Sequence, residues 1–318
     1  LTPREKEQQS SIALVRGVAA RIASMGYTLG GFNAVIESTV LGGSGLSSSA
    51  AYEILIGVIF NHLFCGDELQ PVDLALCGQY AENVYFGKPS GLMDQAASSI
   101  GGFVEIDFLD KENPVAKRLQ FDFAESGYAL CIVDTHASHA DLVDDYAAIP
   151  REMGEVARHF GKEVLSEVPE ETFYSRIPEL RQAVGDRPVL RAMHFYDEDR
   201  RVQEEAAALN RGQFDVFRQL VRASGFSSFM YLQNIYSASH PDQQAVSVAL
   251  GLIAHYAQSA AQKDSIAWRV HGGGFAGTVQ AFVPEKQVHH FAQEMDTYLG
   301  EGSCHILRIR PVGGVQLL

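Results

Sequence analysis

Apolar residues recur along this chain with helical and strand periods, and the switches between them mark its elements. Ile12, Val15, Val18, Ala19 and Ile22 lie three or four residues apart, which predicts a helix over 5–25. A turn at 26–31 leads into a β-like run over 32–40. A glycine-serine stretch follows and opens an apolar helix over 52–64. Pro71 suits the first turn of another helix, expected to reach residue 86. Residues 102–107 alternate as an exposed or half-buried strand, and 128–133 form a continuous apolar run suited to a buried one. Pro150 is expected to start a helix with Met153, Val156 and Phe160 inward. Residues 161–186 read as a polar surface excursion, and helices are expected at 199–210, 213–224 and 242–262. The last part reads as strand 266–270, a glycine-rich loop, strand 278–283, helix 284–299 and strand 304–310. The polar, turn-rich segment 111–126 places a boundary between domains 1–126 and 127–318.

Composition narrows the classes. A chain of 318 residues, 46% hydrophobic and 20% charged, has material for two ordinary domains of a soluble globular protein. Its net charge of −14 opposes nucleic acid and anionic membranes as partners and leaves small molecules. Cys65, Cys77, Cys131 and Cys304 are widely spaced, with no Cys-x-x-Cys, and read as reduced core thiols of a cytoplasmic protein.

Candidate chemistry gathers at three places. In Gly42-Gly43-Ser44-Gly45-Leu46-Ser47-Ser48-Ser49 the glycines permit close backbone approach, and the serines fall in the first turn of a helix. Unpaired N–H groups and the helix dipole there suit a phosphate, although a serine-capped glycine turn has the same pattern. Glu82 shares a helix face with the small residues Ala75 and Gly78; from that periodicity alone a plain surface carboxylate is expected. Asp94, in Gly91-Leu92-Met93-Asp94-Gln95, is either a helix N-cap or a general base. Third, His271-Gly272-Gly273-Gly274-Phe275-Ala276-Gly277 holds more glycine than a hairpin needs, which suggests close approach to a ligand or another loop. His136, His139, Asp141, Asp144 and Asp145 form a polar cluster without the spacing of a zinc site, and a solvated loop is expected.

The order Gly-x-Gly-Leu-Ser-Ser-Ser-Ala-Ala, then Ala-Glu with Gly-Leu-Met-Asp-Gln, then Gly-Gly-Gly-Phe-x-Gly, resembles the GHMP small-molecule kinases, and within them the galactokinases. The resemblance implies an α+β, two-domain fold: a ribosomal-S5-like N-terminal domain, incomplete here, beside a ferredoxin-like C-terminal one. It implies ATP and Mg²⁺ as cofactors and transfer of the γ-phosphate to the C1 hydroxyl of galactose by a monomeric enzyme. By motif, Gly43, Gly45, Ser47, Ser48 and Ser49 match the ATP phosphate loop, and Gly272, Gly273 and Gly274 match the motif that closes over it. Ser48 and Glu82 match metal ligands, Asp94 the base, and Gly91, Asp94 and Tyr146 the sugar contacts. The family's first motif, an Arg-Val-Asn-Leu-Ile-Gly-Glu-His-Thr-Asp-like stretch, is not in the sequence, so a truncated galactokinase is expected, with that motif upstream and with little activity in this chain alone. A silent ATP- or sugar-binding regulator, and a kinase for N-acetylgalactosamine or arabinose, remain as alternatives.

Overall fold

The computed structural model describes residues 2–38, 47–88, 90–110, 114–137, 142–259 and 265–317. The chain folds into two compact units, 1–122 with 309–318, and 123–308.

The first unit is built on helices. A short 3₁₀ turn, Glu5–Glu7, precedes α1 (Ser11–Ser24), whose cap is the Ser10 hydroxyl accepting from Ala13 N–H at 3.3 Å. That cap interrupts the expected continuous helix and leaves Ile12 59% exposed, outside the core that its spacing suggested. Next come α2 (Ser48–Phe64), α3 (Pro71–Tyr80) and α4 (Met93–Ile100). Leu14, Val18, Ile22, Ile54, Ile56, Phe60, Leu74 and Cys77 form their shared core. Residues 32–38 carry no strand: no described strand pairs with them, and Val35 is 95% exposed. A ladder partner, not the residue pattern alone, makes a strand.

β1 (Val104–Asp107) pairs antiparallel with β2 (Val115–Arg118), which lies inside the segment expected to be irregular. The C-terminal residues return to this unit, with Gly102 N–H donating to the Arg310 carbonyl at 2.7 Å. Gly101 and Gly313 make that approach possible. A Cβ on Gly313 would lie 1.9 Å from the Ser99 carbonyl oxygen, and one on Gly101 2.3 Å from the Val312 backbone.

The second unit has a four-stranded antiparallel sheet in the order β4-β5-β3-β6: β3 (Tyr128–Asp134), β4 (Ala267–Val270), β5 (Thr278–Pro284) and β6 (Cys304–Leu307). β3 is central, as its apolar run predicts, with Cys131 opposite Ala281 on one side and Ile306 on the other. Between β3 and β4 lie α5 (Val143–His159), α6 (Glu170–Ser175), α7 (Ile177–Ala183), α8 (Asp186–Asn210), α9 (Phe214–Ser227) and α10 (Ala245–Ser259). α11 (Val288–Leu299) follows β5. Val246, Ala249 and Ile253 of α10 and Phe291 and Met295 of α11 pack on the sheet.

Three expectations here are corrected. Pro150 lies inside α5 rather than starting a helix. Its ring removes one backbone donor, while Ala148, Glu152 and Val156, buried on either side of it, hold the helix together. Residues 161–186 are no polar excursion, because Leu165, Val168, Phe173 and Leu180 are buried against α5 and α8 in a core of their own. α8 begins at Asp186, thirteen residues ahead of the expected start at 199.

Candidate active site

Each unit carries part of the predicted site. In the first, Ser47 is the N-cap of α2 with left-handed backbone, φ 56°, and its side chain makes no capping hydrogen bond. Ser48 begins the helix. The Ser49 hydroxyl donates to Glu82 Oε1 at 3.0 Å. Gly43 and Gly45 lie outside the described residues.

Glu82 sits where α3 widens into a π-helical turn, Ala81–Phe86. Such a turn is a common feature of functional sites. Its side chain is buried, contrary to the surface alternative: only 2% of Glu82 is exposed. Oε1 also takes the Lys88 ammonium at 3.3 Å, and Oε2 accepts from Gln95 Nε2 at 2.9 Å. Burial pushes this carboxyl up, but the hydroxyls of Ser90 and Ser49 and the Lys88 charge outweigh it and hold Glu82 below its ordinary range. Glu82 is therefore an ionised carboxylate beside a hydroxyl, with a cation, the lysine ammonium, already against it.

The Gln95 amide also donates to Glu53 Oε2 at 2.9 Å and so bridges two carboxyls. Glu53 is fully buried, and its Oε1 and Gln95 Oε1 have no partner among the described residues. Burial pushes Glu53 up to about 7, with the Gln95 hydrogen bond opposing and the Glu82 charge adding to the rise. The motifs assign no role to Glu53, Lys88 or Gln95. A signal existed for Glu53, the one charged residue in the apolar stretch 50–61.

Asp94 is exposed in the first turn of α4. The cap position belongs to Leu92 and no side chain caps the helix, so the N-cap alternative fails. The turn ahead of it is tied down by Ser90, whose N–H donates to Asn83 Oδ1 at 2.6 Å and whose carbonyl accepts from Gln79 at 3.3 Å. Gly91 is exposed with nothing near its missing side chain, so packing does not require glycine there.

In the second unit, Tyr146 of α5 donates its hydroxyl to the Gly274 carbonyl at 2.7 Å. Burial, aided by the Asp145 charge, pushes the Tyr146 hydroxyl up and keeps it a donor. Gly272 and Gly274 adopt φ of 68° and 82° in the loop joining β4 to β5. Asn234, to which no motif points, donates Nδ2 to the Gly273 carbonyl at 3.0 Å. His139 and Asp141 lie outside the described residues, and no group of three potential metal-binding side chains occurs among those described.

The structure thus joins Ser49 to Glu82 and Tyr146 to Gly274, and leaves Asp94 without a side-chain partner among the described residues. Residues 13–102 match the profile of the GHMP kinases N terminal domain. A galactokinase of Streptomyces coelicolor is 30% identical over 277 residues, covering 86% of this chain and 67% of that protein. One of Actinobacillus pleuropneumoniae is 31% identical over 265 residues, 82% of this chain and 63% of its own length. The chain thus spans about two thirds of the curated relatives it matches. The crystal structure of Lactococcus lactis galactokinase complexed with galactose superposes with a TM-score of 0.72 over 99% of this chain and 78% of that one, at 24% identity. Leishmania major mevalonate kinase does so at 0.54 and 16% identity. The two-domain α+β arrangement implied by the motifs is the fold of these kinases. The chain belongs to the GHMP kinase family, with galactokinases among its relatives.

Proposed function

We propose that this chain belongs to a sugar 1-kinase that moves the γ-phosphoryl group of ATP to the C1 hydroxyl of galactose. The observation that carries the proposal is the contrast between its two candidate carboxylates. Glu82 is buried, ionised and held by hydrogen bonds beside the Ser49 hydroxyl, whereas Asp94 is exposed and unpartnered among the described residues. Phosphoryl transfer uses one group of each kind, a fixed charge for the metal-phosphate and a free acceptor for the proton.

In this reading Ser47, Ser48 and Ser49 and the unpaired N–H groups at the head of α2 receive the phosphates, together with Gly43 and Gly45. In the second unit, Gly272, Gly273 and Gly274 are nucleotide-binding residues. Glu82 with Ser48 or Ser49 suits Mg²⁺, which favours one or two hard oxygen ligands and keeps its waters; when bound, the ion neutralises phosphate charge. Asp94 takes the proton of the C1 hydroxyl as its oxygen bonds to the γ-phosphorus and the bond to the β–γ bridging oxygen breaks, releasing ADP. Gly91 and Tyr146 lie against the sugar.

The experiment compares Asp94→Asn with Glu82→Gln in the protein that carries this chain. Removing the general base should lower kcat by ~10²–10⁴-fold and leave ATP affinity nearly unchanged. Glu82→Gln should weaken Mg·ATP binding in a calorimetric titration and recover partly at high Mg²⁺. Near-normal kcat in Asp94→Asn refutes the assignment of the base. Loss of sugar phosphorylation in neither variant refutes the site.

A further inference from the structure

The third glycine motif suggests a loop kept free for a ligand, yet within its own unit this loop is pinned. Three consecutive residues are held through their own backbone groups: the Gly273 carbonyl accepts from Asn234 Nδ2 at 3.0 Å, the Gly274 carbonyl from the Tyr146 hydroxyl at 2.7 Å, and Phe275 N–H donates to the Asn234 carbonyl at 2.6 Å. Phe275 is fixed in left-handed backbone, φ 59°, and packs edge-on to Tyr146 with ring centroids 5.3 Å apart. The glycines themselves allow this packing. A Cβ on Gly273 would lie 2.8 Å from Tyr146 Cε1, and one on Gly274 2.1 Å from the Asn234 carbonyl oxygen.

Asn234 is buried, 2% exposed, just after the π-helical turn Ser228–Leu232. Its Nδ2 can only donate and the Gly273 carbonyl can only accept, so the amide orientation is fixed by chemistry. A trans peptide carries its C=O and N–H on opposite sides. Holding the Gly273 carbonyl against Asn234 therefore turns the N–H of Gly274 away from it. The N–H of Gly274 closes the turn over Gly272 and Gly273, and the N–H groups of those two glycines have no acceptor among the described residues. Successive free N–H groups in such a turn suit an anionic oxygen.

We infer that Asn234 is a positioning residue: its side-chain amide sets the Gly273–Gly274 peptide so that the loop presents free N–H groups to a phosphate of the nucleotide. This deepens the kinase reading and rests on it. Asn234 touches no reacting atom and acts through the loop.

The test uses Asn234→Ala and the near-isosteric Asn234→Asp, whose carboxylate cannot donate to Gly273 and repels its carbonyl. KM for ATP and for the sugar, ATP affinity by titration, thermal unfolding and hydrogen exchange are measured for each. Both variants should raise KM and Kd for ATP about tenfold, the equivalent of one net hydrogen bond. KM for the sugar should stay within about twofold, and Tm within a few degrees of the parent, as suits loss of one such bond. Exchange over 271–277 should quicken while that of α10 stays unchanged. Unchanged ATP affinity in Asn234→Asp overturns the inference, as does an equal rise in both KM values accompanied by a collapse in Tm. If the parent protein phosphorylates no sugar, the kinase reading fails by itself, and the ATP titration still decides on Asn234.

Discussion

Glu53 offers a sharp test of the buried chemistry. Its carboxyl, with one oxygen bonded to Gln95 and the other unpartnered among the described residues, is pushed up to about 7 from an ordinary 4.5, chiefly by burial. Between those two pH values the folded chain keeps a proton that the unfolded chain releases. Stability linked to this group is therefore fully present below pH 4.5, declines as pH rises, and is lost once pH passes about 7. At about 1.36 kcal/mol per pH unit, the gap corresponds to about 3 kcal/mol. Glu53→Gln keeps the oxygen that accepts from Gln95 and replaces the titrating group with a neutral amide. An acid and a primary amide pair through N–H···O and O–H···O bonds; the first is present, and the two unpartnered atoms, Glu53 Oε1 and Gln95 Oε1, are the ones the second requires.

The variant should therefore match the parent near pH 4 and exceed it above pH 7 by up to about 3 kcal/mol, the full linked amount. Urea-dependent hydrogen exchange of α2 and α3 reads this unit directly. The single tryptophan, Trp268, lies on β4 in the other unit and does not report on it. A difference between variant and parent that is constant from pH 4 to 8 would refute the reasoning, and so would a variant weaker than the parent at pH 8. Either result would mean that Glu53 is ionised in the fold and that a cation satisfies Oε1.

Further outcomes follow from the second unit. His194 is pushed down to about 4, by burial first and by the Arg269 and Arg201 charges next, so the unfolded chain takes up protons before the folded one does. Its contribution is full above pH 6.5 and is lost as pH falls toward 4, about 3 kcal/mol in all, and Trp268 fluorescence in urea at stepped pH should record the decline. A parent whose stability is flat across that interval contradicts the assignment. Phe173→Ala should cost about 3–5 kcal/mol because its ring is wholly buried among Val156, Leu180 and Tyr196; a loss below about 1 kcal/mol would restore 161–186 as a surface excursion. Arg191→Ala, which removes a 2%-exposed partner of Glu152 but leaves Arg187 paired with that carboxylate, should cost about 1–3 kcal/mol, whereas Arg200→Ala, at a half-exposed pair, should cost under about 1 kcal/mol. Equal losses in the two would refute the distinction by burial.

The legible elements were those whose pattern is local and strong. The run 128–133 became a central strand because every residue of it is apolar. The β-loop-β-α-β order after residue 266 could be read because glycine loop and periods are unambiguous there. What stayed hidden depends on partners distant in sequence. Residues 32–38 have the composition of a strand and no ladder among the described residues. β2 has the composition of a loop, Val-Ala-Lys-Arg, and is a strand because β1 lies beside it. In 161–186, single apolar residues three to seven apart are diluted by glutamates, and only the facing surfaces of α5 and α8 give them a core.

The site divides along the same line. Glycines and serines in that order fit a phosphate loop and a serine-capped glycine turn alike, because backbone freedom and first-turn hydroxyls are local properties. The residues that set the charge of the candidate site come together only in the tertiary fold. Gln95 lies thirteen residues from Glu82 and forty-two from Glu53, and its two N–H groups are divided between them. Nothing in the spacing predicts that division, since it exists only where α2, α3 and α4 converge. The same holds for Asn234, thirty-nine residues ahead of the carbonyl that it holds. Motifs thus mark the groups proposed to meet substrate, while the groups that fix the charge and orientation of those motifs are visible only once the helices are packed. Substitutions at Glu53, Gln95 and Asn234 are for this reason the ones that separate a working kinase site from a merely similar sequence.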